Sequence, residues 1–327
     1  MRFLLRLILV LVLAAASVAY SWLNRPMEMP LVGVDLSVEP GTSAKDVALS
    51  VALAGVHVQP ALLYSWFRVS GQSRQIKAGS YELDAKTTPL SLLNKLVQGD
   101  EALRRVTLVE GWTFQQFLQA LSKAQALQGD AALLSSQALM ARLGKPGVPP
   151  EGHFFPDTYT YAKGSSDIAV LQRAMRAMDK KLEAAWAIRA PHSVLQTPEQ
   201  ALILASIVEK ETGTPNDRAQ IAAVFSNRLR IGMRLQTDPT VIYGLGDKFD
   251  GNLRKVDLRT DTPWNTYTRA GLPPTPISMP GKAALLAAVQ PAQSNSLYFV
   301  ARGDGSSQFS ATLDEHNRAV NKYQRGP

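Results

Sequence analysis

The chain has 327 residues, enough for two ordinary domains, and 46% of them are hydrophobic, so a packed core is expected and wholesale disorder is excluded. It contains no cysteine, which excludes disulfides and thiolate chemistry, and its formal net charge is +8. A basic balance favours anionic surroundings such as phospholipid or acidic polymers. Because no run of about five like charges occurs, a nucleic-acid-binding arm is not indicated and we expect no nucleic-acid partner.

The N-terminal segment is apolar and follows positive charges. Arg2 and Arg6 precede an uncharged stretch at residues 7–23. With the residues between the arginines, this segment reaches the about 20 apolar residues that a spanning helix needs. Tyr20 and Trp22 suit the far membrane interface, and the positive flank predicts a cytoplasmic N-terminus with the bulk of the protein exported. Cleavage as a signal peptide is the alternative, since small residues lie at suitable positions.

A small mixed module is predicted after a short linker that contains proline. Turn residues and helix stops alternate with apolar periodic segments over this region. The predicted elements are a strand, two helices, a strand and a short closing helix, at residues 31–38, 44–54, 61–69, 75–83 and 89–99.

The remainder of the chain is predicted to be a larger region of helices and short strands. A strand at 103–109 leads into a helix whose start carries a capping box of Thr113 and Gln116. Residues 151–159 are rich in aromatic side chains and predicted to be irregular. Further helices and a closing β-hairpin are predicted at 128–143, 166–187, 217–229, 282–289 and 313–323, and at 297–301 with 308–311.

One helix is apolar nearly all round and ends in two carboxylates. Thr197 can cap its start, Pro198 suits the first helical position, and Gly213 is a natural stop. Glu209 and Glu211 both fall in the last turn, where the negative end of the helix dipole opposes a second negative charge. Apolar surroundings and the dipole both raise a carboxyl pKa, which is the property that a general acid requires.

Two residues two positions apart on a helix point about 200° apart, so Glu209 and Glu211 cannot serve one small site together. Glu209 extends a stripe of Leu202, Ala205 and Ser206, and these small residues would leave room for a substrate beside the helix. On that ground the sequence favours Glu209 as the acid. The alternative is that both glutamates are solvated at a frayed helix end and pair with neighbouring basic residues.

Polar and aromatic loop residues supply candidates for a sugar site. Amides and carboxylates hydrogen-bond to hydroxyl groups, and flat rings stack on the apolar faces of pyranoses. Ordinary turn chemistry is the alternative explanation for such loops. The candidate substrate-binding residues are Glu151, Gln236, Asp238, Thr240, Tyr243, Asn265 and Tyr267.

Several other classes of catalytic site are not indicated. The four histidines do not form HExxH or another metal-binding pair, and there is no P-loop and no Gly-x-Ser-x-Gly elbow. A dinucleotide fingerprint is also missing. We therefore expect no metal and no cofactor, and acid–base chemistry by a carboxylate remains.

The chain resembles the endolytic murein transglycosylases of the YceG-like family over nearly its whole length. The resemblance is carried by long motifs in a fixed order: EGHFFPDTY, IVEKETG, NRLRIGMRLQTDPTVIYGLG, NTYTRAGLPPTPISMPG and LYFVARGDG. It implies an α+β fold with three parts. These are a transmembrane anchor at 1–24, a LysM-like module with strand–helix–helix–strand order at 30–99, and a mixed α+β catalytic domain at 100–327.

The resemblance also implies a peptidoglycan lyase of the inner membrane with a periplasmic catalytic domain. Such enzymes cut the MurNAc–GlcNAc β-1,4 bond within glycan strands without water and leave a 1,6-anhydro-MurNAc end, and the implied catalytic glutamate falls on Glu209. The implied partners are glycan strands, the membrane and peptidoglycan synthases. Two alternatives stay open: a wall-binding scaffold without catalysis, and a hydrolase that pairs Glu209 with a second acid such as Asp238.

Overall fold

The chain divides into two units, which the computed structural model describes over residues 2–30, 33–211 and 214–324. The first unit comprises Met1–Arg104 and Tyr161–Ser165, and the second comprises Arg105–Thr160 and Ser166–Pro327. Together they contain helices and short paired strands, so the predicted mixed α+β class is confirmed.

The first unit begins with an apolar helix and continues as a small strand–helix–helix–strand module. Its first helix is long and apolar enough to cross a membrane, judged by length and composition. The predicted element order is confirmed, and residues 31 and 32 of the first predicted strand lie outside the described residues. The elements are α1 (Arg2–Asn24), β1 (Val34–Val38), α2 (Ala44–Leu53), α3 (Pro60–Val69), β2 (Gly79–Leu83) and α4 (Pro89–Gln98).

Strands β1 and β2 of this module are antiparallel, with Val34 opposite Leu83. Alternate residues of β1 are buried, as expected for a strand with one covered face. Helices α2, α3 and α4 contribute apolar residues to the same core. Its fully buried large side chains include Leu36, Leu63, Phe67, Tyr81, Leu92 and Leu96.

The second unit is mainly helical. Strands β3 (Leu103–Thr107) and β4 (Thr158–Ala162) pair with each other, and the boundary between the units passes through both strands. The remaining elements are α5 (Phe114–Ser122), α6 (Ser136–Arg142), α7 (Asp167–Ala187), α8 (Pro198–Glu211), α9 (Pro215–Arg230), α10 (Asp238–Leu245), α11 (Lys255–Arg259), α12 (Lys282–Val289), the hairpin β5 (Tyr298–Ala301) with β6 (Ser307–Ser310), and α13 (Leu313–Gln324).

Three predictions of local structure are wrong. The helix expected at 128–143 is a 3₁₀ turn followed by α6, because the Ser135 side chain accepts a hydrogen bond from Ala138 N and starts a new helix there. The irregular segment at 151–159 ends in the start of β4. The loop expected around Asp238 is helix α10, in which Pro239 occupies one of the first helical positions that proline suits.

Helix α8 is the centre of the second core. Every residue from Ala201 to Val208 is buried, and α8 packs against α7, α9, α10 and α12. The helix starts where Thr197 accepts a hydrogen bond from Gln200 N at 3.2 Å, as the sequence predicts. The predicted stop at Gly213 lies outside the described residues.

Gly152 provides a test of how tightly this core is assembled. It has φ +84°, and a Cβ added there would lie 2.5 Å from the ring of Pro276. Gly152→Ala should therefore lose about 2 kcal/mol or more of unfolding free energy, since a left-handed conformation and overpacking each cost about 1–2 kcal/mol. Gly144→Ala is the control, because φ is +88° there and no described atom lies within 4 Å of the added Cβ. Denaturant unfolding would contradict this packing if both variants lost the same stability.

Candidate active site

The last turn of α8 directs its two carboxylates into different surroundings. Glu209 Oε2 accepts a hydrogen bond from Gly281 N at 2.8 Å, whereas Glu211 accepts one from the Thr237 hydroxyl. The prediction that the two acids face different sides of the helix is therefore confirmed. Each carboxylate can be assessed as a separate candidate.

Glu209 lies in a nearly closed, polar contact. Its Oε1 is 3.7 Å from Arg218 Nη2, and the two side chains are only 7% and 12% exposed. The Glu110 carboxylate covers the α carbon of Gly281, since a Cβ added to that glycine would fall 1.9 Å from Glu110 Oε1. Burial raises the pKa of Glu209, the Gly281 hydrogen bond opposes that rise, and the charge of Glu110 adds to it.

Among the described residues, a neighbouring backbone segment packs against the small residue Ser206 on the Glu209 side of α8. Ser206 Oγ accepts a hydrogen bond from Ile277 N at 3.0 Å, and Ser278 Oγ donates to the Ser206 carbonyl at 3.0 Å. The segment at 277–281 therefore occupies the room that the sequence argument assigned to substrate. Ser206 on α8 therefore serves a close approach of backbone, and the choice between Glu209 and Glu211 stays a prediction.

Glu211 lines an open cavity of about 690 Å³. Burial raises the pKa of its carboxyl, and the negative charge of Asp238 raises it further. The Thr237 hydrogen bond and the Arg228 charge act in the opposite direction. A carboxyl group held partly toward its protonated form, at the wall of a cavity that admits a ligand, fits the requirement for a general acid.

Arg228 is a buried cation in the wall of the same cavity. Its Nε donates to the Leu297 carbonyl and its Nη1 to the Leu235 carbonyl, both at 2.7 Å. The guanidinium also lies 5.3 Å from the centre of the Tyr298 ring. These contacts fix a positive charge where it can stabilise an ionised Glu211.

His316 extends this wall from helix α13. Its ring stacks on Tyr298, with ring centres 5.2 Å apart and planes 23° from parallel. Burial and the Arg228 charge lower the pKa of His316, which favours its neutral imidazole. Within the part of the chain that the structure describes, His316 Nδ1 is buried without a hydrogen-bond partner.

Three of the predicted substrate-binding residues line the cavity with Glu211: Gln236, Asp238 and Tyr267. The Tyr267 hydroxyl donates to Asp238 Oδ1 at 2.6 Å. Gln236 has φ +49°, an uncommon conformation for a residue with a side chain, and strained residues cluster at ligand sites. The structure therefore brings these residues to Glu211 rather than to Glu209.

Two other candidates are buried and bonded within the protein. The Thr240 hydroxyl donates to the Thr237 carbonyl at 2.7 Å. Asn265 Nδ2 lies 2.7 Å from the Thr260 carbonyl and within hydrogen-bond distance of two further carbonyls. These contacts hold together the loops that form the cavity, and direct contact with substrate stays a prediction for both residues.

Glu151 and Tyr243 form a separate pair. The Tyr243 hydroxyl donates to Glu151 Oε2 at 3.2 Å, and Phe114 N donates to Glu151 Oε1 at 3.0 Å. Tyr243 also packs edge-on against Trp264. Burial raises the pKa of Glu151 to about 7, although both hydrogen bonds oppose the rise. This carboxyl holds the start of α5, and its role in substrate binding stays a prediction.

Arg228, Tyr298 and His316 line the cavity but are not predicted from the sequence. One available signal was the position of Arg228 in register with the apolar residues of α9, because a charge in a buried stripe requires a partner. Tyr298 and His316 come together only through the packing of α13 on the hairpin. Over residues 2–30, 33–211 and 214–324 the structure brings no three His, Asp or Glu side chains together in a group that could hold a metal ion.

Glu151 makes protein stability depend on pH. Its pKa is raised from 4.5 to about 7 in the folded state, so its stabilising contribution is complete below about pH 4.5 and is lost as pH rises to about 7. At about 1.4 kcal/mol for each pKa unit, the loss is about 3 kcal/mol. Glu151→Gln keeps an acceptor for Phe114 N, so it should be the more stable protein at pH 8 and equal to the wild type at pH 4.5.

Thermal melts across this pH range would check the expectation, with the exposed Glu183→Gln as control. The control should follow the wild type at every pH. Parallel stability curves for Glu151→Gln and the wild type would contradict a raised pKa at this position.

Comparisons with known proteins agree with the sequence motifs. Residues 36–322 match the model of the YceG-like family. The chain is 30% identical over 311 residues to the endolytic murein transglycosylase of Bacillus subtilis (strain 168), which covers 89% of this chain and 84% of that protein. It is 27% identical to the endolytic murein transglycosylase of Streptococcus pneumoniae serotype 2 (strain D39 / NCTC 7466), covering 89% of this chain but only 58% of that longer protein.

A solved structure shares the fold. A crystal structure of a yceG-like protein from Listeria monocytogenes is 28% identical, with a TM-score of 0.57, and the match covers 87% of this chain and 98% of that one. The family model alone extends over most of the chain, including both candidate carboxylates and every residue that lines the cavity except Gln324. The chain therefore belongs to the YceG-like family.

Proposed function

We propose that this protein is a membrane-anchored endolytic lytic transglycosylase of peptidoglycan. It cleaves the MurNAc–GlcNAc β-1,4 bond within glycan strands, leaves a 1,6-anhydro-MurNAc end, and thereby ends the elongation of nascent strands. Family membership and the names of the relatives support the reaction class. The observation that carries the proposal is a buried carboxyl group, Glu211, in the wall of a cavity. The same cavity is lined by amide, carboxylate and aromatic side chains of the kinds that bind sugars.

We infer that Glu211, rather than Glu209, is the catalytic acid. Glu211 faces the cavity together with Gln236, Asp238 and Tyr267. Glu209, which the family resemblance implies, is engaged by a backbone amide and by an arginine in a nearly closed contact. A general acid must reach the substrate before its pKa matters, so access decides between two carboxylates that are both buried.

One carboxyl group is enough for the proposed reaction. Glu211 gives its proton to the bridging oxygen O4 of GlcNAc as the bond from that oxygen to C1 of MurNAc breaks, and the MurNAc acetamido oxygen stabilises C1. The carboxylate then accepts the proton of the C6 hydroxyl, whose oxygen attacks C1 and closes the anhydro ring. The proton balance returns to zero and no water is consumed, in contrast to glycosidases, which use two carboxylates and water.

The surrounding side chains fit the two stages of this cycle. Before proton transfer, burial raises the pKa of Glu211 and so favours the neutral acid. After transfer, the fixed charge of Arg228 and the hydroxyl of Thr237 stabilise the carboxylate. The linked side chains of Tyr267 and Asp238 offer polar atoms to a sugar hydroxyl in the same cavity.

Helix α1 indicates where in the cell the reaction would take place. We propose that α1 anchors the protein once in the inner membrane, with the N-terminus in the cytoplasm and the second unit in the periplasm, because Arg2 and Arg6 precede the apolar span. Residues 30–99 would be a LysM-like module that binds glycan. Its partners would be glycan strands, the membrane and peptidoglycan synthases.

A second candidate function is a muramidase that hydrolyses the same bond with two carboxylates. Asp238 lines the same cavity as Glu211 and could act as the second group. Its carboxylate is already engaged by the Tyr267 hydroxyl, which favours a role in positioning. Hydrolysis would leave reducing ends rather than anhydro ends.

The choice of carboxylate is tested by a matched pair of variants. Glu211→Gln keeps the shape of the side chain but cannot deliver a proton, so release of anhydro-muropeptides should fall by about 10²–10⁴-fold or more. Glu209→Gln is the control on the other face of the helix and should retain most activity, because glutamine can still accept the Gly281 hydrogen bond. Thermal melts establish that both variants are folded.

Two results would contradict the assignment. A folded and fully active Glu211→Gln protein would remove Glu211 from the mechanism. An inactive, folded Glu209→Gln protein beside an active Glu211→Gln protein would assign catalysis to Glu209, as the sequence alone favours.

The proposed topology is tested with a reporter that is active only outside the cytoplasm. Fused after Pro327, the reporter should be active, and fused before Met1 it should be inactive, because the positive flank keeps the N-terminus inside. Moving the two arginines to the far end of α1 should weaken this preference. A soluble mature protein that starts near Tyr20 would show cleavage and refute the anchor.

A further inference from the structure

An apolar groove lies between helices α1 and α3 of the first unit. It has a volume of about 740 Å³. One wall is the face of α1 that runs from Leu11 to Leu23, and the other wall belongs to α3: Leu62, Ser65, Trp66 and Val69. Apart from one serine hydroxyl, the side chains on the α3 wall are apolar or amphipathic.

The α3 wall is a second apolar stripe on a short helix. Leu63 and Phe67 already bury their side chains in the core of the module. Leu62, Trp66 and Val69 follow the spacing of one helix face, and Leu62 and Val69 are 46% and 83% exposed. Trp66 is half-buried and lines the groove while also packing against the core. A soluble module needs one apolar stripe on a surface helix, so the second stripe indicates another apolar partner.

The depth of the groove identifies that partner. From Leu11 to Leu23 the α1 wall rises about 18 Å, at about 1.5 Å for each residue. The hydrocarbon core of a bilayer is about 30 Å thick. If α1 spans it, the groove and the α3 stripe that faces it lie within the half of the bilayer into which the C-terminal end of α1 leads.

We propose that α3 is a lipid-contacting surface, with Leu62, Trp66 and Val69 facing acyl chains that fill the groove. The inference rests on the proposed membrane anchor and goes beyond it, since it assigns a second membrane contact to the module itself. Arg68 in the last turn of α3 is exposed and can extend its charge toward anionic headgroups. The sequence of α3 contains no acidic residue that would oppose this contact.

The absence of cysteine allows a direct test with single spin labels. The full chain is placed in phospholipid vesicles and labelled at Val69→Cys, with Val12→Cys on α1 as the reference for the anchor. Asp100→Cys, an exposed position of the same unit outside the groove, is the control for water. Relaxation by oxygen, which concentrates in lipid, is compared with relaxation by a nickel chelate, which stays in water.

The measured quantity is the ratio of relaxation by oxygen to relaxation by the nickel chelate, which is high in lipid and low in water. We expect a lipid-type ratio at Val69 and Val12 and a water-type ratio at Asp100. A second label at Leu62→Cys should agree with Val69, and both sites are exposed, so the core is left intact. A water-type ratio at Val12 would refute the anchor itself. A lipid-type ratio at Val12 with a water-type ratio at Val69 would overturn the α3 surface alone. Spin–spin broadening between Val69 labels would place a second copy there and also overturn it.

Discussion

The complete burial of helix α8 is the constraint on which the rest of the site depends. Because Ala201 to Val208 are enclosed on all sides by neighbouring helices, the helix cannot rotate or fray up to its last turn. The two carboxylates of that turn are therefore fixed about 200° apart, and each is committed to one environment. A half-exposed helix would have let both side chains reach solvent and keep ordinary pKa values.

The two environments differ in the groups that surround each carboxylate. On one face, the backbone amide of Gly281 and the Arg218 guanidinium surround Glu209 at short range. On the other face, Glu211 has a hydroxyl donor, a more distant cation and an open cavity. The first arrangement suits a structural contact that fastens the 277–281 segment to α8. The second suits a group that exchanges protons with a ligand, and this contrast is the basis for assigning the acid.

The sequence predicted local structure well because its signals are local. The capping box of Thr113 and Gln116 is present at the start of α5, the closing hairpin forms, and the helices around residues 44–54 and 282–289 are present. The single helix predicted at 128–143 is wrong, because the Ser135 side chain caps the start of a separate helix, α6. The division of the two glutamates between opposite faces also followed from helix geometry alone.

The roles of the two glutamates could not be predicted in the same way. Small residues beside Glu209 indicate space, but whether substrate or backbone fills that space depends on the segment at 277–281, which is far away in the sequence. Similarly, Arg228 and His316 reach the cavity from helices that the sequence does not place side by side. Asp238 and Tyr267 were predicted because their chemistry suits a sugar, and the structure shows that they meet each other.

In the proposed reaction, one carboxyl group and the substrate's own C6 hydroxyl complete the cleavage without water. The most direct measurement is a digest of intact sacculi by the purified protein in ¹⁸O-labelled water, with mass spectrometry of the new glycan ends. The expected products are 1,6-anhydro-MurNAc ends that carry no ¹⁸O. New reducing ends labelled with ¹⁸O would show that water is the acceptor and would contradict it.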